Sequence, residues 1–332
     1  MTSAEEGPEV PLLELREGLP DLVTTRDQLL EVVETLDAAS GPISVDAERA
    51  SGYRYSARAY LVQLRRDGNQ TALVDPIAFD DLGPLAEVLN SREWILHAAS
   101  QDLPCLSEIG LRPVALFDTE LAGRLLGYPR VGLATLVEEL LGFRMRKEHS
   151  AVDWSTRPLP QPWLEYAALD VEPLMLLRDA LEAQLEAAGK RDWADQEFAH
   201  VATMPAAEPR AEPWRRTSGL HRVRGRRSLA AVRALWQARD RIASDRDVTP
   251  GRIIPDSAII EAAASGLRDR RALLDLPGFH GRGARRYLST WIDALRQAHD
   301  LPESELPPSA ARYDGPPPPR TWSERDPDFS AA

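Results

Sequence analysis

The chain has 332 residues, of which 43% are hydrophobic and 28% charged, the proportions of a globular protein of about two domains and not of a disordered or fibrous chain. No apolar run approaches the roughly 18 residues of a membrane span, the opening MTSAEEGPEV lacks the charged-then-apolar order of a signal peptide, and the single cysteine excludes an intramolecular disulfide or a Cys-based zinc site, so a cytoplasmic protein is expected. The net charge of −12 is unevenly spread: residues 1–205 carry −17, residues 206–298 carry +9 and residues 299–332 carry −4, an acidic body joined to a basic module of the kind that meets a polyanion.

Residues 1–20 are acidic and interrupted by prolines, and read as a flexible lead-in. Thr25 and Gln28 have capping-box spacing, which predicts a helix over about 26–38. Ile43-Ser-Val-Asp-Ala-Glu48 alternates apolar and polar residues and predicts a strand with Ser44, Asp46 and Glu48 on one face. Strands near 59–65 and 71–75 flank an Asp67-Gly68 turn, a hairpin signal. Trp94-Ile-Leu-His97 and Val114-Ala-Leu-Phe117 are short strands, each leading into a helix, and Cys105 lies in the apolar stretch LPCLSEIGL as an inert, buried thiol. Helical periodicity returns at 133–141 and, after a Pro-rich stretch at 157–162, from about 163 to 187, with a kink or restart forced near Asp170 by Pro173. Strands alternating with helices predict an α/β body with a mixed sheet. Residues 190–227, rich in Pro and Arg, read as a basic linker, 228–299 as a small all-helical module beginning with Leu229, Val232 and Trp236 at helical spacing, and 300–332 as a Pro-rich disordered tail.

Asp46 and Glu48, two apart on a strand, project the same way and suit one hard cation, although such pairs are common on exposed strands. Tyr166 and Asp170, four apart on a helix, share one face. Asp102 follows the His97 strand at a strand-to-helix transition, where it serves either a site or a helix N-cap.

Together these residues resemble the DEDD exonuclease superfamily, in its tyrosine-containing branch. Asp153-Trp154, Arg157-Pro158-Leu159, Gln161 and Tyr166-Ala-Ala-Leu-Asp170 are similar to the run around the third exonuclease motif of the ribonuclease D family, and His97-Ala-Ala-Ser-Gln-Asp102 and Phe117-Asp118-Thr119 also match it. Leu235-Trp236-Gln-Ala-Arg239-Asp240, Ile254-Pro255-Asp256 and Leu276-Pro277-Gly278-Phe279 resemble the HRDC domain, a helical nucleic-acid-binding module. Family members can carry two such modules, and this length leaves room for one.

The resemblance implies a ribonuclease-H-like α/β exonuclease domain over 21–189 and an HRDC-like domain over 228–299. It implies two divalent cations, Mg²⁺ or Mn²⁺, with Asp46, Glu48 and Asp170 holding one, Asp46 and Asp102 the other, and Tyr166 orienting the attacking water. The implied activity is that of a 3′→5′ exoribonuclease releasing 5′-mononucleotides from the 3′ ends of tRNA precursors or other structured RNA. Nucleic-acid contacts are expected from His97, Lys147, Trp154, Arg157 and Gln161, and phosphate contacts from Arg215, Arg216, Arg222, Arg224, Arg226 and Arg227. Trp154 has a core role as its alternative, and Arg157 an ion pair. RNA with a free 3′ end is the expected partner, with no membrane and no obligate protein partner. An exodeoxyribonuclease and a catalytically silent RNA-binding protein remain as rivals.

Overall fold

The computed structural model describes residues 10–66, 68–146, 151–205, 208, 210–267 and 269–309, which form two compact units. The first is built on a six-stranded sheet of β1 (Leu22–Val23), β2 (Ile43–Arg49), β3 (Ala59–Arg65), β4 (Ala72–Val74), β5 (Glu93–Leu96) and β6 (Ala115–Asp118), in the order β1-β4-β3-β2-β5-β6. β2, β3 and β4 run antiparallel to their sequence neighbours, while the β1–β4, β2–β5 and β5–β6 pairs are parallel. Gly68 takes φ +77° between β3 and β4, as a tight hairpin requires; its predicted companion Asp67 lies outside the described residues.

Helix α1 (Arg26–Ala38) starts at the expected box, with Thr25 Oγ1 accepting from the Gln28 backbone and Gln28 Oε1 accepting from the Thr25 backbone at 3.1 Å. Alternation then decides what each sheet face covers. Val62, Leu64 and Val74 join a core with Leu29 and Leu36 of α1 and Leu85 of α2 (Gly83–Leu89). On the other face Leu61 and Leu73 pack with Trp154 and with Ala167 and Ala168 of a later helix. Helices α3 (Leu103–Glu108), α4 (Thr119–Leu126), α5 (Leu133–Leu141), α6 (Gln161–Val171) and α7 (Leu174–Ala187) follow in order. The break between α6 and α7 falls at Pro173, which has no backbone N–H to continue a helix.

Two expectations need correction in this unit. The stretch read as linker from 190 contains α8 (Arg191–Thr203), a 13-residue helix whose Ala194 and Phe198 are buried, with the Phe198 ring 4.8 Å from that of Phe117. The prolines that suggested a linker begin at Pro205, beyond this helix. The lead-in is likewise anchored from residue 10 onward: Leu13 N donates to Arg144 O at 2.9 Å, Arg16 pairs with Glu172 at 2.5 Å and Glu17 with Arg65 at 2.9 Å.

The second unit is all-helical, with α9 (Arg226–Asp245), α10 (Pro250–Ile253), α11 (Asp256–Ser265), α12 (Arg270–Leu274), α13 (Arg282–Arg286) and α14 (Leu288–Asp300). Its core gathers Leu235 of α9, Ile259 of α11 and Trp291 of α14, all fully buried. Gly278 in the Leu276-Pro277-Gly278-Phe279 segment packs so closely on α11 that a Cβ there would lie 2.3 Å from Ala258 Cβ, so only glycine fits. The expectation of a disordered tail from 300 is corrected for the described residues up to 309. Leu306 is buried, and Arg226 donates to the carbonyl oxygens of Glu303 and Leu306 at 3.0 and 2.7 Å. Residues 310–332, with the proline run, lie outside the described residues, as do 1–9.

Candidate active site

β2 is the central scaffold of the site. Its alternation puts Asp46 and Glu48 on the sheet face that α6 covers, and α6 carries Tyr166 and Asp170 one turn apart toward them. Asp46, Glu48 and Asp170 each offer a carboxylate oxygen, and these oxygens lie within 4.8 Å of one another. Asp102, just before α3, is buried at the edge of this cluster and feels the charge of Asp46, but its carboxylate is paired with Arg49 Nη2 at 3.1 Å. The structure therefore brings all four predicted acids together, three as a close set and the fourth held by an arginine that the sequence reading did not single out.

The electrostatics follow from that crowding. Burial pushes the Asp46 carboxyl up to about 6, and burial with repulsion from Asp46 pushes Asp102 up to about 8. Glu48 and Asp170 are raised well above the carboxylate range, by burial first and then by Asp46. The Tyr166 phenol is raised by burial and the neighbouring acids and stays protonated, its hydroxyl hydrogen-bonded to Asp170. Such a set binds protons for lack of a better cation. Hard carboxylate oxygens clustered at this spacing are the donors that Mg²⁺ and Mn²⁺ favour, so the residues present fit a divalent metal.

A second layer holds the first. Asp118 caps α4 through the backbone N–H groups of Glu120 and Leu121, and also accepts from Ala98 N at 3.0 Å and Ala99 N at 2.9 Å. That grip fixes Ala98 in the left-handed region at φ 60° and so sets the path of the loop leading to Asp102. Gln63 lies opposite Asp46 in the β2–β3 register, fully buried, and neither atom of its amide has a hydrogen-bond partner among the described residues. Cys105 is buried with its thiol raised to about 12 by burial, the inert role expected of it.

The expected nucleic-acid contacts fare less well. Trp154 is fully buried, its ring 5.7 Å from that of Trp163, so it has no free face on which a base can stack. Arg157 is spent on a bidentate pair with Asp75, at 2.7 and 2.8 Å, and on the carbonyls of Tyr60 and Trp154. His97 is pushed down to about 4 by burial and is neutral at pH 7. Its Nδ1 lies 2.9 Å from Thr119 Oγ1, whose own proton goes to Leu96 O, so Nδ1 is the donor. Gln161 is exposed at the start of α6, and Lys147 lies outside the described residues. Of the arginine cluster, Arg215 pairs with Glu212 at 2.6 Å and stacks on Trp214, while Arg226 and Arg227 bind carbonyls of 299–307. Arg216, Arg222 and Arg224 are exposed.

Comparison with known proteins agrees with this geometry. Residues 20–186 match the family model for a 3′-5′ exonuclease and residues 228–295 that for an HRDC domain. A ribonuclease D of Gluconacetobacter diazotrophicus is 34% identical over 310 residues, spanning 91% of this chain and 78% of the relative. The chain belongs to the ribonuclease D family. Among solved structures, that of a protein from Bifidobacterium adolescentis aligns at a TM-score of 0.86 and 38% identity, over 96% of this chain and 82% of that one. Escherichia coli RNase D, described as an exoribonuclease involved in structured RNA processing, aligns at a TM-score of 0.73 and 28% identity, over 94% and 84%. Within this family the mixed sheet is a ribonuclease-H-like exonuclease fold, its acidic cluster indicates divalent-metal binding, and the HRDC match indicates nucleic-acid binding. Among the described residues no helix is long and apolar enough to cross a membrane.

Proposed function

We propose that this chain is a divalent-metal-dependent 3′→5′ exoribonuclease of the cytoplasm that trims the 3′ ends of tRNA precursors and other structured RNA and releases 5′-mononucleotides. The observation that carries the reading is the convergence of Asp46 and Glu48 from β2 with Asp170 from α6 within 4.8 Å, beside Asp102. Asp46, Glu48 and Asp170 would hold one ion, and Asp46 and Asp102 a second. Mg²⁺ or Mn²⁺ held there would supply a more acidic attacking water and positive charge beside the leaving 3′-oxygen. Tyr166, held protonated among acids, orients that water through its hydroxyl, so no histidine base is needed; this matches His97, which burial makes a weak base and whose Nδ1 proton is given to Thr119. His97, Lys147 and Gln161 stay the expected contacts for the RNA strand, and Arg216, Arg222 and Arg224 in the basic second unit the candidates for phosphate. The catalytic domain runs from 21 through α8, and the HRDC-like domain over 228–299.

The test is release of mononucleotides from matched RNA and DNA oligonucleotides in Mg²⁺ by the wild-type chain and by Asp46→Ala. The expected result is faster release from RNA than from DNA, a fall of at least about 10³-fold in Asp46→Ala, and unchanged RNA binding by both proteins in EDTA. Equal rates for the two proteins would refute the catalytic assignment, and faster release from DNA would make the chain an exodeoxyribonuclease.

A further inference from the structure

Arg49 is the last residue of β2 and, by simple alternation, belongs on the face opposite Asp46 and Glu48. It does not behave that way. The β2–β3 register shifts between Glu48, which faces Leu61, and Arg49, which faces Ala59. An irregularity of this kind re-aims a side chain at the end of a strand, and the Arg49 guanidinium reaches Asp102 Oδ1 at 3.1 Å. The Asp102 side chain is only 8% exposed, whereas Arg49 keeps 28% of its surface and lines an open cleft with Glu48, Gly52, Tyr53 and Val152. Arg49 is also the cation whose field favours the ionised forms of Asp46, Glu48 and Asp102 alike. The acid cluster thus has a cation of its own, held at the one carboxylate outside the close set of three, with an open side through which it can leave.

We propose that Arg49 is a displaceable counter-ion: it holds the Asp102 carboxylate until a divalent cation takes that ligand, and then turns into the cleft, where a phosphate of the nucleic acid is the anion it meets. The inference rests on the acid cluster being the metal site. A guanidinium and a divalent ion on one buried carboxylate repel each other, so Arg49 weakens the ion that needs Asp102. A phosphate that draws Arg49 away removes that penalty, and by reciprocity the ion then strengthens phosphate binding. Arg49 is in this sense a positioning residue, linking the second ion to the substrate.

The experiment titrates Mn²⁺ into the full chain, reads free Mn²⁺ by electron paramagnetic resonance, and compares wild type, Arg49→Gln, Asp102→Asn and the double variant. Each titration is repeated with adenosine 5′-monophosphate, which carries a phosphate but no phosphodiester to cut. Arg49→Gln is expected to tighten the weaker Mn²⁺ site by about tenfold in the Asp102 background and by no more than about twofold once Asp102 is Asn, the coupling expected of residues in contact. Adenosine 5′-monophosphate is expected to tighten that site about tenfold in the wild type and to add little in Arg49→Gln. Arg49→Lys, which keeps the charge and shortens the reach, gives an intermediate shift and serves in its place if Arg49→Gln does not fold. Unchanged or weaker Mn²⁺ binding in Arg49→Gln, or the same gain in both backgrounds, overturns the role of Arg49 while leaving the metal site intact. Absence of Mn²⁺ binding from the wild type, or binding that survives Asp46→Ala, overturns the metal site itself.

Discussion

Asp118 never touches the acid cluster, yet the position of Asp102 depends on it. Its carboxylate is buried and takes four backbone N–H groups, two from the first turn of α4 and two from Ala98 and Ala99. Removing an N-cap costs about 1 kcal/mol, and two further buried donors left unpaired add about 1–3 kcal/mol each. Asp118→Ala is therefore expected to destabilise the chain by about 3–7 kcal/mol in urea denaturation; a loss below about 1 kcal/mol would mean that the loop is held by something else. Asp46 and Glu48 were legible because strand alternation is a two-residue rule, and Tyr166 with Asp170 because a helical turn is nearly four residues. Arg49 was not, because its direction depends on a register shift against β3. Trp154 and Arg157 took their alternatives, core and ion pair, for a related reason. What occupies them, the core beneath α6 and Asp75, lies about 80 residues away from Arg157 and in no local pattern.

At the scale of elements, the anchoring of residues 10–20 was the least legible feature and carries an energetic consequence. Arg16, Glu172, Arg65 and Glu17 form a chain of ion pairs that ties the N-terminal segment, the α6–α7 break and β3 together. The side chains of Arg65 and Glu172 are 5% and 2% exposed and compensate each other's charge in the interior, with Glu17 and Arg16 as their partners nearer the surface. Breaking a buried pair from one side costs about 3–5 kcal/mol. Glu172→Gln is expected to fall near the lower end, because Glu17 still faces Arg65 and the amide keeps one acceptor, and calorimetry should show a matching drop in Tm. A Tm within a degree of wild type would show the pair to be neutral to stability. Elements with strong local signals, such as the capping box of α1 and the periodicity of α5, were readable to the residue. Helix α8 was hidden because its charged residues dilute an apolar stripe of Ala194, Phe198 and Val201, and its burial against β6 is a tertiary fact.

For the whole molecule, the acid cluster makes stability depend on both pH and metal. Asp46 and Asp102 are raised from an ordinary value of 3.8 to about 6 and about 8. Between roughly pH 4 and 8 the folded chain thus keeps protons that the unfolded chain has lost, and metal-free stability falls as pH rises. His97, lowered from 6.5 to about 4, acts in the opposite sense but only below about pH 6.5. In EDTA the Tm is therefore expected to be lower at pH 8.5 than at pH 6.5, with the decline reduced in Asp102→Asn and reversed by Mg²⁺, which replaces the lost protons. A metal-free Tm that rises across this range would contradict the electrostatic account. The pH and metal expectations return to one place in the molecule, and diffraction reads it most directly. Crystals soaked in Mn²⁺ and measured at the manganese absorption edge are predicted to show an anomalous peak among the carboxylates of Asp46, Glu48 and Asp170. A map without a peak there, in crystals that hold Mn²⁺ elsewhere, would contradict it.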